Sequence, residues 1–163
     1  SFGRKNTITK MQWMLKKFED LDPHELYAIL QLRNIVFAVE QNCVYPDLDN
    51  RDQASYHLMC WSVPASKEEQ PVLLAYTRLL PPGLAYEEPS IGRVVTSPFA
   101  RKTGLGRELM KRSIEHIRTL YGKQPVRIGA QLYLLQFYQS LGFLQTSEIY
   151  LEDGIEHVEM LLS

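Results

Sequence analysis

The chain has 163 residues, of which 45% are hydrophobic and 23% are charged, and its formal net charge at pH 7 is -1. This composition predicts one globular domain with a sizeable core, and the near-neutral charge gives no electrostatic reason to expect a nucleic-acid or membrane partner. Cys43 and Cys60 form no Cys-x-x-Cys pair, so we expect reduced thiols in a cytoplasmic protein, with no disulfide framework and no metal site.

The start of the chain is polar and differs in composition from the remaining residues. Residues 1–10 are interpreted as a flexible terminus or a cloning remnant, and residues 11–163 as a single domain. No apolar run is long enough to span a bilayer, and the start lacks the pattern of a secretory signal.

The first predicted elements are a strand and a helix. Alternating apolar residues predict the strand over 12–18. Asp22, Pro23 and Glu25 then have the order of a helix start, with Asp22 as N-cap, proline at the first helical position and a glutamate three residues after the cap. The helix should run to about Phe37 or Glu40. We expect the acidic segment after it, 41–54, to be a solvated loop.

Strands dominate the middle of the chain. Runs over 56–63 and 72–80 are joined by a polar turn and predict a hairpin, and a fourth strand covers 91–96 before Pro98. A long helix comes next, with Glu108 and Arg112 paired on its polar face and Gly122 at its end. Its apolar positions recur every three to five residues: Leu105, Leu109, Ile114, Ile117 and Tyr121.

The last third repeats this alternation of strand and helix. A strand is predicted over 126–130, a helical segment over 131–141, and two strands over 145–151 and 155–162 around the turn dipeptide Asp153-Gly154. The predicted fold class is therefore α/β (α+β), with a mixed, mostly antiparallel central sheet of six to seven strands and helices on both faces.

The turn between the fourth strand and the long helix has the features of an anion site. Helix N-termini bind phosphate through main-chain amides that have no partner within the helix. Gly104 and Gly106 would let a phosphate approach those amides closely, and Arg101, Lys102 and Arg107 would surround it with positive charge. Neither the Rossmann nor the Walker pattern is met, and an ordinary loop that enters a surface helix is the alternative.

Two motifs in a fixed order carry a family resemblance. The first is Arg101-x-x-Gly104-x-Gly106 after a strand, with Pro98 three residues before it, and the second is Phe137-Tyr138-Gln139-Ser140-Leu141-Gly142-Phe143. Together they resemble the GCN5-related N-acetyltransferase (GNAT) superfamily. Within it, the chain resembles the bacterial ElaA-like acetyltransferases over most of its length. The matching segments are 31–33, 36–43, Tyr45, Asp47, 91–94, 129–131, 152–155 and His157.

The resemblance implies an acyl-CoA N-acyltransferase fold in which the strands that end near Thr96 and Ala130 splay apart. It also implies acetyl-CoA as cosubstrate and direct transfer of the acetyl group to an amine acceptor, either a small molecule or a peptide. Main-chain groups of the fourth strand and the side chain of Gln131 would hold the pantetheine, and the glycine-containing turn the diphosphate. The implied cofactor residues are Val94, Val95, Thr96, Arg101, Lys102, Thr103, Gly104, Leu105, Gly106, Arg107 and Gln131.

The resemblance also implies that Tyr138 is the general acid, because a phenol that titrates near pH ~10 can donate a proton to the departing thiolate. Aromatic packing beside Phe137 and Phe143 is the alternative. For the general base there is no glutamate near Gly92, where many relatives carry one. The candidates are Glu40, His57, Glu88 and His157.

Two further interpretations stay open at this stage. A non-catalytic acyl-CoA-binding sensor or interaction module would use the same turn, and the missing strand glutamate favours it. Acyl-homoserine lactone synthesis on a related fold is the third interpretation. The edge of the C-terminal hairpin could pair between subunits, so a homodimer is a further expectation.

Overall fold

Two four-stranded sheets form the framework of the computed structural model, which describes residues 10–163. The first sheet has the order β1-β2-β3-β4, with β1 Met11–Lys17, β2 Tyr56–Ser62, β3 Leu73–Leu80 and β4 Ser90–Thr96. The second has the order β5-β8-β6, with β7 also paired to β8; its strands are β5 Val126–Gln131, β6 Leu144–Gln145, β7 Tyr150–Glu152 and β8 Ile155–Leu162. Apart from Lys10, the expected terminal segment 1–10 lies outside the described residues.

Three α-helices and several short turns connect the strands. They are α1 Pro23–Arg33, α2 Leu105–Tyr121 and α3 Leu135–Ser140. A π-helical segment, Asn34–Glu40, continues α1, and short 3-10 turns lie at Phe18–Asp20, Asp52–Ala54, Pro98–Ala100 and Leu132–Leu134. The predicted helix start is confirmed, since the Asp22 side chain accepts from the Glu25 amide and the Glu25 side chain accepts from the Asp22 amide.

Helices α1 and α2 cover opposite faces of the first sheet, as predicted. Ile29 and Leu32 of α1 pack with Met59 and Tyr76, whereas Leu109 of α2 packs with a different set of strand residues. That second set includes Leu58, Cys60 and Ala75. Because side chains alternate between the two faces of a strand, successive residues of β2 and β3 pack alternately against α1 and against α2.

The prediction of one sheet with six to seven strands is wrong. β4 and β5 lie side by side only where both begin, and there the Arg127 amide donates to the Pro89 carbonyl at 3.1 Å. Beyond this point no ladder joins them, and each belongs to its own sheet. The physical reason is a bulge in β4: Arg93 and Val94 together face Thr77 of β3, and Arg93 has a φ of 52°. A bulge bends and twists the strand that carries it, which turns β4 away from β5.

The two predicted hairpins form, with one difference. β2 and β3 pair as expected. The predicted strand 145–151, however, is divided into β6 and β7. At the break the Ser147 hydroxyl accepts from the Glu159 amide at 2.8 Å, so a side chain replaces a main-chain partner of β8.

Within residues 10–163, no helix combines the length and apolar character that crossing a bilayer requires. In the same part of the chain, no three His, Cys, Asp or Glu side chains are grouped so that they could hold a metal ion. Cys43 and Cys60 are free thiols.

Candidate active site

A cleft of about 830 Å³ opens where β4 and β5 separate. Its walls include Val94, Val95 and Thr96 of β4 and Gly129 and Gln131 of β5. The π-helical segment, the 41–51 loop, α3 and the β7–β8 hairpin complete the lining. The strands thus splay as expected, and they leave an elongated slot between the two sheets.

The N-terminus of α2 lies beside this slot. Gly104 is its N-cap with a φ of 80°, which favours glycine, and no side chain caps the helix. Gly106 packs against β4, since a Cβ atom there would lie 4.0 Å from Thr96 Cγ2. Among the described residues, no side chain accepts a hydrogen bond from the first-turn amides of α2. These amides and the helix dipole can therefore receive an anion.

Two charged side chains of this turn, those of Arg101 and Arg107, have partners within the protein. Arg101 Nη1 donates to Glu40 Oε2 at 2.7 Å, and Nη2 contacts the other oxygen of that carboxylate. Arg107 donates to Ser140 Oγ at 2.7 Å and lies 5.7 Å above the Phe137 ring, so it extends towards α3. Thr103 Oγ1 donates to the Ala100 carbonyl at 2.6 Å. Lys102 is exposed with a φ of 64°, and Leu105 is buried in the core below.

The residues of the β4 bulge line the slot, and their main chain does not form a complete ladder with β3. The register passes from Val95 opposite Tyr76 to Gly92 opposite Arg78, so the amides and carbonyls of Arg93 and Val94 depart from regular pairing. The side chains of Val94 and Val95 also fill the cores of the first sheet, on opposite faces. In this part of β4 the side chains pack in the core, and the main chain remains available for other hydrogen bonds.

Gln131 and Tyr138 both line the cleft. Gln131 exchanges two hydrogen bonds with Gln41 of the opposite wall, at 3.1 and 3.2 Å. Tyr138 is 5% exposed and packs edge-on against Phe137 and Phe143, with ring centroids 5.2 and 5.9 Å away. Burial raises the pKa of Tyr138 above its ordinary value. The phenol therefore keeps its proton, and aromatic packing and proton donation are compatible.

The structure does not bring His57 or Glu88 to the cleft. His57 is 1% exposed, with Nδ1 2.6 Å from Tyr76 Oη and Nε2 2.9 Å from the Asp52 carbonyl, and burial lowers its pKa. Glu88 accepts from Arg127 at 2.8 and 3.1 Å, and these hydrogen bonds lower the pKa of Glu88. Both residues are therefore engaged in hydrogen bonds within the protein, away from the cleft.

Glu40 and His157 do line the cleft, but their hydrogen-bond partners differ. The hydrogen bonds from Arg101 lower the pKa of Glu40, so this carboxylate is a weak proton acceptor. His157 is 7% exposed; its Nδ1 lies 2.7 Å from the Ile155 carbonyl and its Nε2 lies 3.4 Å from Glu152 Oε2. Of the four candidate bases, His157 alone combines a place in the cleft with a ring nitrogen that faces no arginine.

Sequence reasoning missed an ionic cluster in one wall of the cleft, formed by Arg33, Arg78 and Arg93 with Asp47, Asp49 and Asp52. Arg33 and Arg78 are almost fully buried, and the expected solvated loop is thereby fixed to α1 and β3. The three aspartates at 47, 49 and 52 were the available signal. The arginines are distant in sequence, so their convergence could not be read from the pattern.

A second missed feature lies over Gly129. A Cβ atom at this position would meet Tyr86 Oη at 2.9 Å and Tyr150 Oη at 3.1 Å. The two hydroxyls thus approach the backbone of β5 where only glycine leaves room. Tyr86 also lines the cleft, and burial raises the pKa of Tyr86.

Comparison with known proteins agrees with this architecture. The family described as Acetyltransferase (GNAT) domain matches residues 62–163. Protein ElaA of Escherichia coli (strain K12) is 39% identical over 152 residues, which cover 92% of this chain and 95% of that protein.

Solved structures of related proteins have the same fold. An acyl-CoA N-acyltransferase from Pseudomonas aeruginosa has a TM-score of 0.85 at 41% identity, and E. coli ElaA has a TM-score of 0.83 at 36% identity. Each covers 94% of this chain and 100% of its own. Since the family match and these relatives span most of the sequence, the chain belongs to the GNAT acetyltransferase superfamily and, within it, to the ElaA-like proteins.

Proposed function

We propose that the chain is an acetyl-CoA-dependent N-acetyltransferase that passes the acetyl group directly from the thioester to an amine. The observation that supports this most is the split between β4 and β5, which opens beside the uncapped N-terminus of α2. A cofactor with a diphosphate and a long, amide-containing arm needs both features in this arrangement.

The chain's own groups fit that cofactor. The amides of the first turn of α2, next to Gly104 and Gly106, would hold the diphosphate, with Arg101 and Lys102 at its side. The main chain of β4 from Val94 to Thr96 and the Gln131 carboxamide would hold the two pantetheine amides. For this, Gln131 exchanges its present partner, Gln41, for a chemically equivalent amide.

Acetyl-CoA supplies an activated acyl group, and the protein must stabilise the oxyanion that forms when an amine attacks it. Main-chain amides at the β4 bulge, whose residues line the slot, would do this. Tyr138 reaches the cleft from α3 and gives a proton to the departing thiolate. No covalent acyl-enzyme is required, and Cys43 has no assigned role.

The proposal is tested in two steps with the purified chain. At a concentration about 100 times its Kd, acetyl-CoA stabilises a protein that binds it by about 2.7 kcal/mol, which is a thermal shift of several degrees. Release of CoA thiol is then followed with putrescine, tyramine and glycinamide as acceptors. Absence of a thermal shift contradicts cofactor binding. A shift without turnover of any amine indicates the binding module instead.

The variant Gly106→Asp gives a site-specific control. It places a carboxylate between α2 and Thr96 of β4, next to the amides that would hold the diphosphate, and the thermal shift with acetyl-CoA should disappear. Lys111→Asp changes charge on an exposed residue further along α2, and its thermal shift should match that of the wild type.

A further inference from the structure

The β7–β8 hairpin contributes Glu152, Asp153 and His157 to the same end of the cleft. Asp153 and Gly154, with φ values of 52° and 75°, form the two-residue turn that suits strand twist. The resulting register sets Tyr150 opposite His157 and Glu152 opposite Ile155. The Tyr150 and His157 rings stack with centroids 5.9 Å apart at 27°. The hairpin therefore holds the imidazole in one orientation.

The tautomer of His157 follows from its hydrogen bond. The Ile155 carbonyl, 2.7 Å from Nδ1, can only accept, so Nδ1 carries the proton. Nε2 of the neutral ring is then the atom with the free lone pair. Its neighbour at 3.4 Å is Glu152 Oε2, a carboxylate that stabilises the ring once Nε2 also becomes protonated.

His157 and Tyr138 approach the cleft from opposite faces of the second sheet. Tyr138 packs with Ala130 and Val158 in the core below α2 and α3. Those two residues pair with each other, and the next pair along the strands is Gln131 with His157. Since successive side chains point to opposite faces, His157 lies on the face away from Tyr138. This arrangement suits an acid on the thiolate side and a base on the amine side.

We propose that His157 is the general base of the acetyl transfer and that Glu152 is its positioning residue. This assignment rests on the proposed function. Nε2 removes a proton from the substrate ammonium, and the amine lone pair then forms the C–N bond at the thioester carbonyl. The C–S bond breaks as the tetrahedral intermediate collapses, and the thiolate receives the proton of Tyr138. Loss of a proton from the new amide nitrogen to solvent gives the neutral amide. The His157 imidazolium then releases a proton to solvent and the Tyr138 phenolate takes one up, which regenerates both residues.

The charges around His157 favour a cationic acceptor. Glu152 of β7, Asp153 of the turn, Tyr86 of the 81–89 loop and the neutral Gln131 of β5 line this end of the cleft. Tyr150 stacks on the His157 ring beside them. On the far wall, Asp47 and Asp49 are paired with Arg78 and Arg93. In residues 10–163, no lysine or arginine forms a salt bridge with Glu152 or Asp153. An amine thus arrives as an ammonium ion and needs a base before it can attack.

The tautomer is testable without turnover. In ¹⁵N spectra of the full chain, the neutral His157 ring should be protonated at Nδ1 and not at Nε2. His157→Gln assigns the signals. A ring protonated at Nε2 contradicts the assignment.

Kinetics with putrescine, tyramine and glycinamide give the second test. His157→Gln should keep the thermal shift with acetyl-CoA but lose about 10²- to 10⁴-fold in kcat/KM at pH 7. The loss should shrink as the pH rises, because a growing fraction of the acceptor is already a free amine. A merely structural role would give a loss independent of pH.

His24→Gln is the matched control, since this histidine is exposed on α1 outside the cleft. Glu152→Gln, at a largely exposed side chain, should fold normally, keep the thermal shift with acetyl-CoA and lower kcat/KM for the amines. Unchanged kcat/KM in this variant contradicts the positioning role of Glu152. A His157→Gln protein as active as His24→Gln contradicts the base assignment alone. A wild-type protein that binds acetyl-CoA but acetylates none of the amines contradicts the proposed function, and the ring spectra still decide the tautomer.

Discussion

Arg33 Nη1 donates to Asp52 Oδ1 at 2.7 Å, and both side chains are buried below the cleft. The same carboxylate oxygen accepts from Arg78 Nη1 at 3.0 Å. Asp52 therefore joins α1, through Arg33, to β3, through Arg78, and fixes the loop that frames the acceptor end of the cleft.

Asp52→Asn should destabilise the fold strongly. Loss of this charge removes one carboxylate partner from each of two buried guanidinium groups, those of Arg33 and Arg78. Removing one partner of a buried ion pair costs about 3–5 kcal/mol. Urea denaturation measures the loss. Glu108→Gln is the control, because the Glu108–Arg112 pair is an exposed i,i+4 contact worth about 0.5 kcal/mol or less. Equal, small effects of both variants would contradict a structural role for the cluster.

Low pH should also destabilise the fold, because protonation of Asp49 removes a second carboxylate from the ionic cluster. Burial acts to raise the pKa of Asp49, but the hydrogen bond and charge of Arg78, with contributions from Arg51 and Arg93, outweigh it and lower the pKa to about 2 from an ordinary 3.8. The unfolded chain then binds the proton more readily than the folded chain does. The stabilisation is complete above about pH 4 and is lost as the pH falls towards 2.

The measurement is the urea midpoint between pH 5 and pH 2. The midpoint should fall steeply over the lower part of this range, and Asp49→Asn should flatten that dependence while lowering the midpoint at pH 5. A variant whose midpoint follows the wild-type curve at a constant offset would show that Asp49 does not carry the effect.

Much of this framework is predictable from the sequence, because its signals are local. The N-cap Asp22, the periodic apolar face of α2 and the turn dipeptide Asp153-Gly154 each act within a few residues. They correctly locate α1, α2 and the last hairpin. The turn that enters α2 belongs to the same class, since strand, glycine pair and helix start are adjacent in the chain.

The features that could not be predicted depend on distant contacts. The division into two sheets follows from a bulge at Arg93, a non-glycine residue with positive φ that no sequence pattern marks. The partners of Asp52 are 19 and 26 residues away, and those of Gln131 and Arg101 are 90 and 61 residues away. Two of the four candidate bases, Glu40 and Glu88, likewise have distant partners, Arg101 and Arg127, which lie 61 and 39 residues away.

Tyr138→Phe should abolish proton donation without disturbing the core. Only a hydroxyl is removed, and both ring contacts remain, so stability and the Kd for acetyl-CoA should stay close to wild type. The turnover number should fall about 10²- to 10⁴-fold. Because burial raises the pKa of Tyr138, the wild type should show no loss of this acid up to about pH 10.

CoA thiol release in single-turnover mode measures this effect. Tyr27→Phe, at an exposed tyrosine of α1, is the matched control and should be as active as the wild type. An equally active Tyr138→Phe protein would leave this tyrosine with a packing role only.

Glu40→Gln should tighten the binding of acetyl-CoA. The Glu40 carboxylate now engages both terminal nitrogens of Arg101, which are the donors that a phosphate would use. Removal of the competing charge frees the guanidinium, so the Kd measured by calorimetry should fall, whereas Arg101→Gln should raise it. A weaker Kd for Glu40→Gln would mean that Glu40 orients Arg101 towards the cofactor.

Gly129→Ala should impair the acceptor side of the reaction selectively. The new methyl group would lie 2.9 Å from Tyr86 Oη and 3.1 Å from Tyr150 Oη, closer than carbon and oxygen normally approach. Both hydroxyls end flexible side chains, so they should move away at a modest cost in stability. Because Tyr86 lines the cleft and Tyr150 stacks on His157, kcat/KM for the amine should fall while the Kd for acetyl-CoA changes little.

A double-mutant cycle with Tyr86→Phe checks the cause. Tyr86→Phe removes the atom in the shorter contact, so it should cost less stability in the Gly129→Ala background than in the wild type. Residues in direct contact show coupling energies of about 0.5–3 kcal/mol, and urea denaturation resolves a difference of that size. Additive effects of the two substitutions would mean that the alanine methyl group fits without displacing Tyr86. In that case the contact with Tyr86 would not explain a selective loss of amine turnover.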